Sequence, residues 1–446
     1  MNKDLTRGPV LRTMLLFAVP MIIGNLLQQC YNIADTMIVG KYLGKNALAA
    51  VGSSFTLMTF LTSILLGLCM GSGAVFSIRF GQKDEEKLKE SISASFLLIG
   101  AMTLLLNAAA FLCLPGIRVF LRVPEEVWGI MREYLAVIFC GIAATFLYNY
   151  FASFLRAVGN SLVPLIFLAL SALLNIALDF LFVLGLERGA AGAAEATVIS
   201  QYLSGLGIMA YALVRCPQIR GGLKRWRISR SCIREIAGFS VLTCIQQSVM
   251  NLGILMVQGL VNSFGAVVMA AFAAAVKIDA FAYMPVQDFG NAFSTFIAQN
   301  YGAKKEDRIR AGLKGAVLTA SVFSIAVSGI VWIFADRLMG LFVDGKDAQV
   351  GEIIREGVRY LHIEGAFYCG IGCLFLLYGL YRALGKPGMS VVLTVISLGT
   401  RVALAYILSA IPAVGVAGIW WSVPIGWFLA DAVGISYYLL KRKELM

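Results

Sequence analysis

From Met14 to Leu440 the chain repeats one pattern, a mostly apolar run of about 20 residues followed by a short polar break. Twelve such runs can be counted, and no other feature restricts the fold as strongly. A run of that length crosses a bilayer as a helix, because in hydrocarbon every backbone N–H and C=O must find its partner inside the segment. Composition agrees: 59% of the 446 residues are hydrophobic and 14% charged, and the mean hydropathy is +0.82, beyond an ordinary soluble domain. The expected fold class is an all-α integral membrane protein with twelve transmembrane helices. Spans and loops use nearly the whole chain, which leaves no soluble catalytic domain. The opening MNKDLTRGPVLRTML continues into the first span, with neither the short apolar region nor the small-residue cleavage site of a signal peptide.

The formal net charge of +12 would suit a nucleic-acid binder, but in a membrane protein the positions of Lys and Arg decide its meaning. With the N-terminus inside, the inner loops and tails hold Lys3, Arg7, Arg12, Arg79, Lys83, Lys87, Lys89, Arg156, the run from Arg215 through Arg234, Lys304 to Lys314, Arg382, Lys386 and Lys441 to Lys443. The outer breaks hold far fewer: Lys41, Lys45, Arg118, Arg122, Arg188 and Lys346. The excess charge is thus an orientation signal. It predicts a multi-pass protein of the cell inner (plasma) membrane with both termini cytoplasmic, and no nucleic-acid partner. Nine cysteines, an odd number lying mostly inside apolar runs, argue against a disulfide framework. The pair in 369-CGIGC-373 reads as small residues at a helix contact.

Four stretches recur at nearly constant offset. The loop 80-FGQKDEEK-87 returns as 301-YGAKKEDR-308 and 44-GKNALAA-50 as 265-GAVVMAA-271, both 221 residues on. Likewise 156-RAVGN-160 returns as 382-RALGK-386 and 189-GAAGAA-194 as 415-GVAGIW-420, both 226 residues on. The chain therefore divides into an N-terminal six-helix lobe over 1–214, a basic cytoplasmic linker over 215–235 and a C-terminal six-helix lobe over 236–446. An even number of spans per half makes the lobes parallel repeats about an axis along the membrane normal, with a cleft between them and alternating access as the expected mode of action.

Within the first span, Asn25, Gln28, Gln29, Asn32, Asp35 and Thr36 fall in an arc of roughly 120° on a helix turning about 100° per residue. Lipid cannot satisfy those groups, so the stripe must face other helices or water. Asp35 has no Lys or Arg in its own segment, and an intramembrane carboxylate is a functional candidate by default. In the fifth span Ser171, Asn175 and Asp179 are spaced by four and share a face. Asp35 and Asp179 each lie four to six residues from the outer end of their runs, roughly 6–9 Å. Two unpaired carboxylates at similar depth can share one proton; with the amide oxygens of Gln28 and Asn175 and the hydroxyl of Thr197 they can equally surround a monovalent cation. The residues do not choose between these. At the corresponding places the second half has Met256 or Val257 and Ala405, so the acid pair belongs to the first lobe alone.

Taken together, 16-LFAVPMIIGNLLQQCYNIADTMIVGKYLGKNALAAVG-52, 299-QNYGAKK-305, 156-RAVGN-160 and the two GxxG stretches resemble the multidrug and toxic compound extrusion (MATE) family of efflux transporters over essentially the whole chain. The resemblance implies a two-lobe, twelve-helix antiporter that exports organic, often cationic, compounds in exchange for protons or sodium ions. Its DinF-like members use an aspartate in the first helix and an Asn-x-x-x-Asp pair in the fifth, which fall here on Asp35, Asn175 and Asp179; Gln28 and Thr197 also match site positions of that subgroup. The NorM-like members place acids in the seventh and tenth helices. This chain has none in 236-IAGFSVLTCIQQSVMNLGILMVQGLV-261 and only Glu364 near the start of the tenth.

The second lobe carries Lys277, Asp279, Asp288, Glu364, Arg401 and Asp431 inside apolar runs, and the simplest reading is structural: Lys277 and Arg401 neutralised by Asp279, Glu364 or Asp288. His362, the single histidine, reads as a packing residue. A cavity for varied organic cations needs π-faces and adaptable apolar surface, for which Tyr31, Asn32, Tyr134, Tyr148, Asn149, Phe151, Phe154, Met256, Phe281, Tyr283 and Tyr368 are candidates as a group. The expected partners are small organic molecules and the lipid bilayer. No cofactor and no metal beyond a monovalent coupling ion, H+ or Na+, is expected, and the chain is expected to act as a monomer. A flippase for lipid-linked precursors is the alternative; it would show a strongly cationic cavity. A membrane enzyme would need a constellation such as HExxH or GxSxG, which the sequence lacks.

Overall fold

Every apolar run becomes a helix in the computed structural model, which describes residues 4–120, 123, 125–224, 228–342 and 349–445. The loop cations Lys3, Arg122 and Lys346, and residues 225–227 of the linker, lie outside the described residues. In chain order the helices are α1 (Val10–Gly44), α2 (Asn46–Gln82), α3 (Glu85–Phe120), α4 (Glu125–Cys140), α5 (Ile142–Ala157), α6 (Leu162–Asp179), α7 (Gly189–Arg215) and the short α8 (Pro217–Leu223). There follow α9 (Arg230–Asn262), α10 (Ala266–Gly302), α11 (Glu306–Gly340), α12 (Val350–Gly365), α13 (Tyr368–Ala383), α14 (Pro387–Ser409) and α15 (Val416–Leu445). Ten are long and apolar enough to cross a membrane alone, and two further spans are bent pairs, α4 with α5 at 41° and α12 with α13 at 52°. The twelve expected spans are thus present, with the fourth and tenth each broken midway.

The repeat seen in the sequence has a backbone cause. Each recurring stretch holds a residue in the left-handed region, and the positions correspond in pairs: Gly44 with Gly265 (φ 81° and 96°), Lys83 with Lys304 (57° and 55°), Gly159 with Gly385 (83° and 76°) and Gly189 with Gly415 (61° and 53°). Six of the eight are glycine, the residue that adopts this conformation without a Cβ penalty. Helix breaks therefore preserve sequence where helix interiors drift. At Gly265 a Cβ would meet nothing within 4 Å, so Gly265→Ala tests the conformation alone. It should lower stability by about 1–2 kcal/mol, read as a lower midpoint of heat denaturation in detergent.

Two compact units result, and their borders fall inside helices and outside the 215–235 linker. Of the described residues, one unit takes Asp4 and those within 23–244, the other those within 5–22 and 245–445. Residues 230–244 thus pack with the first unit. There α2 meets α9 backbone to backbone: a Cβ on Gly71 would stand 2.4 Å from the Phe239 carbonyl oxygen, and one on Gly67 would stand 2.5 Å from Cys244 Cα. Ser72 and Ser240 hydrogen bond through their hydroxyls at 2.8 Å, and Arg79 pairs with Glu235 at 2.5 Å. The core of this unit runs from Leu65 and Phe76 to Tyr150, Phe154 and Ile208.

In the second unit the segment before α1 is held where α10 ends and α11 begins. Leu5 donates its N–H to Gln299 Oε1 (3.1 Å), and Lys305 Nζ donates to the Thr6 carbonyl (2.7 Å). The Arg308 guanidinium donates to the carbonyls of Leu5 (3.1 Å), Arg7 (3.2 Å) and Gly8 (2.7 Å). This arrangement answers the orphan carbonyls of a non-helical strap with charge-assisted bonds. A separate cluster around Phe272, Tyr360 and Trp420 forms the core at the other end of the unit.

Candidate functional site

In the first unit, α6 packs on α7, with Ser171 Oγ donating to the Ser200 carbonyl at 3.0 Å and fixing the face that carries Asn175 and Asp179. Asn175 is 2% exposed and Asp179 not at all. Asn175 Nδ2 donates to Thr197 Oγ1 (3.3 Å), whose hydroxyl donates in turn to the Ala193 carbonyl (3.0 Å). The Thr197 hydroxyl is thereby spent on Ala193 and gives nothing to the amide oxygen of Asn175. Immediately after Asp179 the helix widens into a single π-turn over Phe180–Gly185, a distortion that often marks functional positions in helices.

Across from this face stands Asp35 on α1, its carboxyl and that of Asp179 within hydrogen-bonding reach of each other. Such a bond exists only when one of the two carries a proton. Among the described residues no donor reaches Asp35 Oδ1, either oxygen of Asp179, or Asn175 Oδ1, and none of the ion pairs there involves either aspartate. Buried acceptors of this kind are costly unless something supplies positive charge or a proton. Four such oxygens fit a shared proton, and they fit equally a monovalent cation taking oxygen ligands; no His/Cys/Asp/Glu group of three or more stands ready for a multivalent metal among the described residues. Since α1 runs on to Gly44, Asp35 lies nine residues from its end, about 13 Å at 1.5 Å per residue. It is thus deeper than a break at residue 40 would place it.

Other sequence candidates divide. Gln28 hydrogen bonds Tyr31, and Tyr31 and Tyr134 both lie within electrostatic range of the two aspartates. These belong to the site. Tyr134 packs its ring with Ile38, Val39 and Val183. Tyr148 interacts with Tyr31 but donates its hydroxyl to the Pro164 carbonyl at 3.0 Å, and Asn149 Nδ2 donates to the Thr145 carbonyl at 2.8 Å. The backbone carbonyl of Asn32 accepts the Thr36 hydroxyl at 2.8 Å. Met256 and Tyr283 belong to the second unit, Met256 exposed and Tyr283 with its ring 6.2 Å from that of Phe375.

The second-unit charges do not form the expected ion pairs. Among the described residues no acid lies within 4.0 Å of Lys277 or Arg401. Instead Asp279 and Glu364 are buried side by side, Tyr360 donates its hydroxyl to Asp279 Oδ2 at 3.4 Å, and the Arg401 charge acts on both carboxyls without contact. Lys277 points off the opposite face of α10 and is exposed. The sequence reading missed Tyr360, although it stands four residues before Glu364 on α12 and so shares its face. His362 stacks on Trp332, with ring centroids 4.7 Å apart, and is a packing residue as expected. All nine cysteines are free.

The comparisons with known proteins agree with this architecture. The MatE family profile matches residues 20–181 and 240–407, one stretch in each half. The chain is 28% identical over 447 residues to the probable multidrug resistance protein YpnP of Bacillus subtilis, covering 99% of this chain and 98% of that one. It is 24% identical over 445 residues to the multidrug export protein MepA of Staphylococcus aureus, covering 98% and 95%. A solved MOP superfamily transporter from Pyrococcus furiosus has the same fold, with a TM-score of 0.89 at 24% identity over 99% of this chain and 98% of that one. A family profile that takes in both halves, relatives aligned end to end and a shared twelve-span fold lead to one conclusion: the chain is a multi-pass membrane transporter belonging to the MatE (MATE) family.

Proposed function

We propose that this chain is a secondary active efflux antiporter that exports organic, often cationic, compounds in exchange for protons or sodium ions by alternating access. The supporting observation is the Asp35–Asp179 pair, two carboxyls in mutual reach with, among the described residues, no cationic side chain paired with them and their buried oxygens unanswered. A site of this kind holds a positive charge in one state and releases it in another, which is what coupling requires. Relatives named for multidrug resistance and export support the substrate class. On this reading the protein works in the cell inner membrane with both termini cytoplasmic, as a monomer and without a cofactor. Asn175 and Thr197 position Asp179, and Gln28 and Tyr31 line the approach to Asp35.

Everted membrane vesicles test the proposal. With an acidic or a sodium-loaded lumen, vesicles containing the protein should accumulate ethidium, and collapse of the effective gradient should release it. Accumulation that ignores both gradients would overturn the antiport reading.

A further inference from the structure

The fourth span breaks midway at Gly141, and the break is closed by side chains from three helices. Gly141 donates its N–H to the Ile138 carbonyl (2.8 Å), three residues back where an α-helix reaches four, so the backbone ladder slips at this point. The next three carbonyls are each met by a side chain. Asn107 of α3 donates Nδ2 to the Phe139 carbonyl (2.7 Å), Tyr202 of α7 donates its hydroxyl to that of Cys140 (2.9 Å), and Thr145 of α5 donates to that of Gly141 (3.1 Å). In hydrocarbon such carbonyls have no water to turn to. A bend alone does not demand these bonds. The break in the second unit is sharper, 52° against 41°, and among the described residues no side chain donates to the carbonyls of Gly365, Ala366 or Phe367; the last is met by the Gly370 N–H at 2.8 Å.

The stretch of α7 that supplies Tyr202 also holds α6. Its Thr197 hydroxyl accepts from Asn175 Nδ2 (3.3 Å) and its Ser200 carbonyl accepts from the Ser171 hydroxyl (3.0 Å), so one short piece of helix fixes both the break and the face that bears Asp179. The fit is close, since a Cβ on Gly141 would stand 2.7 Å from Gln201 Oε1. On the N-terminal side of the break α4 carries Tyr134, about two turns before Gly141. Tyr134 is buried in one cluster with Ile38, Val39 and Val183, with Tyr202 packed against it. Ile38 is three residues from Asp35 and Val183 four from Asp179, so this ring lies against the turns next to both acids. At roughly 10 Å from the pivot, a change of about 10° in the bend carries Tyr134 by roughly 2 Å, beyond the roughly 0.5 Å within which a functional constellation must be held. We propose that Asn107 and Tyr202 are positioning residues of the acid-pair site: by holding the carbonyls of Phe139 and Cys140 they fix the angle at Gly141 and thereby the place of Tyr134 against Asp35 and Asp179. This rests on the reading of that pair as the coupling site.

Ethidium, whose charge does not change with pH, reports on the site at equilibrium. Its fluorescence anisotropy with the full-length protein in lipid nanodiscs gives Kd at low and at high concentrations of protons or sodium, and the ratio of the two measures how strongly the ion opposes the substrate. The wild-type ratio should fall within roughly 5–150-fold, and Asp35→Asn should abolish the difference. Tyr202→Phe and Asn107→Leu should each shrink the ratio by about threefold, the effect of one average hydrogen bond inside a membrane, and leave Kd at low ion concentration unchanged. Asn107→Gln, which keeps the amide donor, should retain most of the ratio. In a Tyr134→Leu background Tyr202→Phe should add nothing. A role in folding alone would lower the melting midpoint and leave the ratio as it is; that result, or an additive effect with Tyr134→Leu, overturns the proposal while the coupling reading stands. A wild type whose ethidium affinity ignores both ions overturns the coupling reading, and the proposal falls with it.

Discussion

Asp35→Asn and Asp179→Asn should each abolish most gradient-driven accumulation in everted vesicles while leaving the folded yield unchanged. Asparagine keeps the shape of aspartate but neither takes up a proton nor balances a cation. Coupling free energies between sites are typically about 1–3 kcal/mol, or roughly 5–150-fold in the linked equilibrium, and loss of the shared charge should forfeit all of it. Asp179→Asn is expected to be at least as severe, because neither of its oxygens has any other partner among the described residues. The double variant should be no worse than the worse single one, since a site that two carboxyls form together is lost with the first of them. Folding is expected to survive because the substitution removes a buried charge with no counter-ion. Wild-type gradient dependence in either single variant would remove the pair from the coupling role.

The largest structural effect is expected at Gly71. Its Cβ would stand 2.4 Å from the Phe239 carbonyl oxygen and 2.6 Å from Ser240 Cα. Both obstacles are backbone, which cannot swing aside as a side chain can. Gly71→Leu should therefore force α2 away from the first half of α9, break the Ser72–Ser240 hydrogen bond and cost at least about 1–3 kcal/mol, the usual range for overpacking. Heat denaturation in detergent, followed by size-exclusion fluorescence, measures it. Gly259→Ala is the control, since a Cβ there meets nothing within 4 Å. If Gly71→Ala melts with that control, the backbone contact is not what seats the helix.

The sequence exposed some of this and concealed the rest for physical reasons. The twelve spans follow from hydropathy, and the repeat is visible because left-handed turns restrict residue choice at Gly44, Gly265, Gly159 and Gly385. Asp35 and Asp179 are visible because charge inside an apolar run is rare. The breaks at Gly141 and near Phe367 are hidden, since no proline marks either one. Periodicity placed Lys277 in an acidic neighbourhood along the chain but could not say that Asp279, two residues on, points to the other side of the helix. Tyr360 is recognisable as a site neighbour only once α10 and α12 are seen side by side. The assignment of residues 5–22 and 230–244 to units other than those of their repeats depends on contacts such as Gly71 with Phe239, and no local pattern encodes these.

The strap at Leu5–Gly8 has a consequence for how the molecule is made. Leu5 precedes α1 in the chain, yet the side chain that receives its amide, Gln299, is 294 positions later, and the Arg308 that holds its carbonyl follows later still. During synthesis α1 is therefore made long before the side chains that hold the segment ahead of it. Closing the strap is thus a late step of assembly for a segment made early.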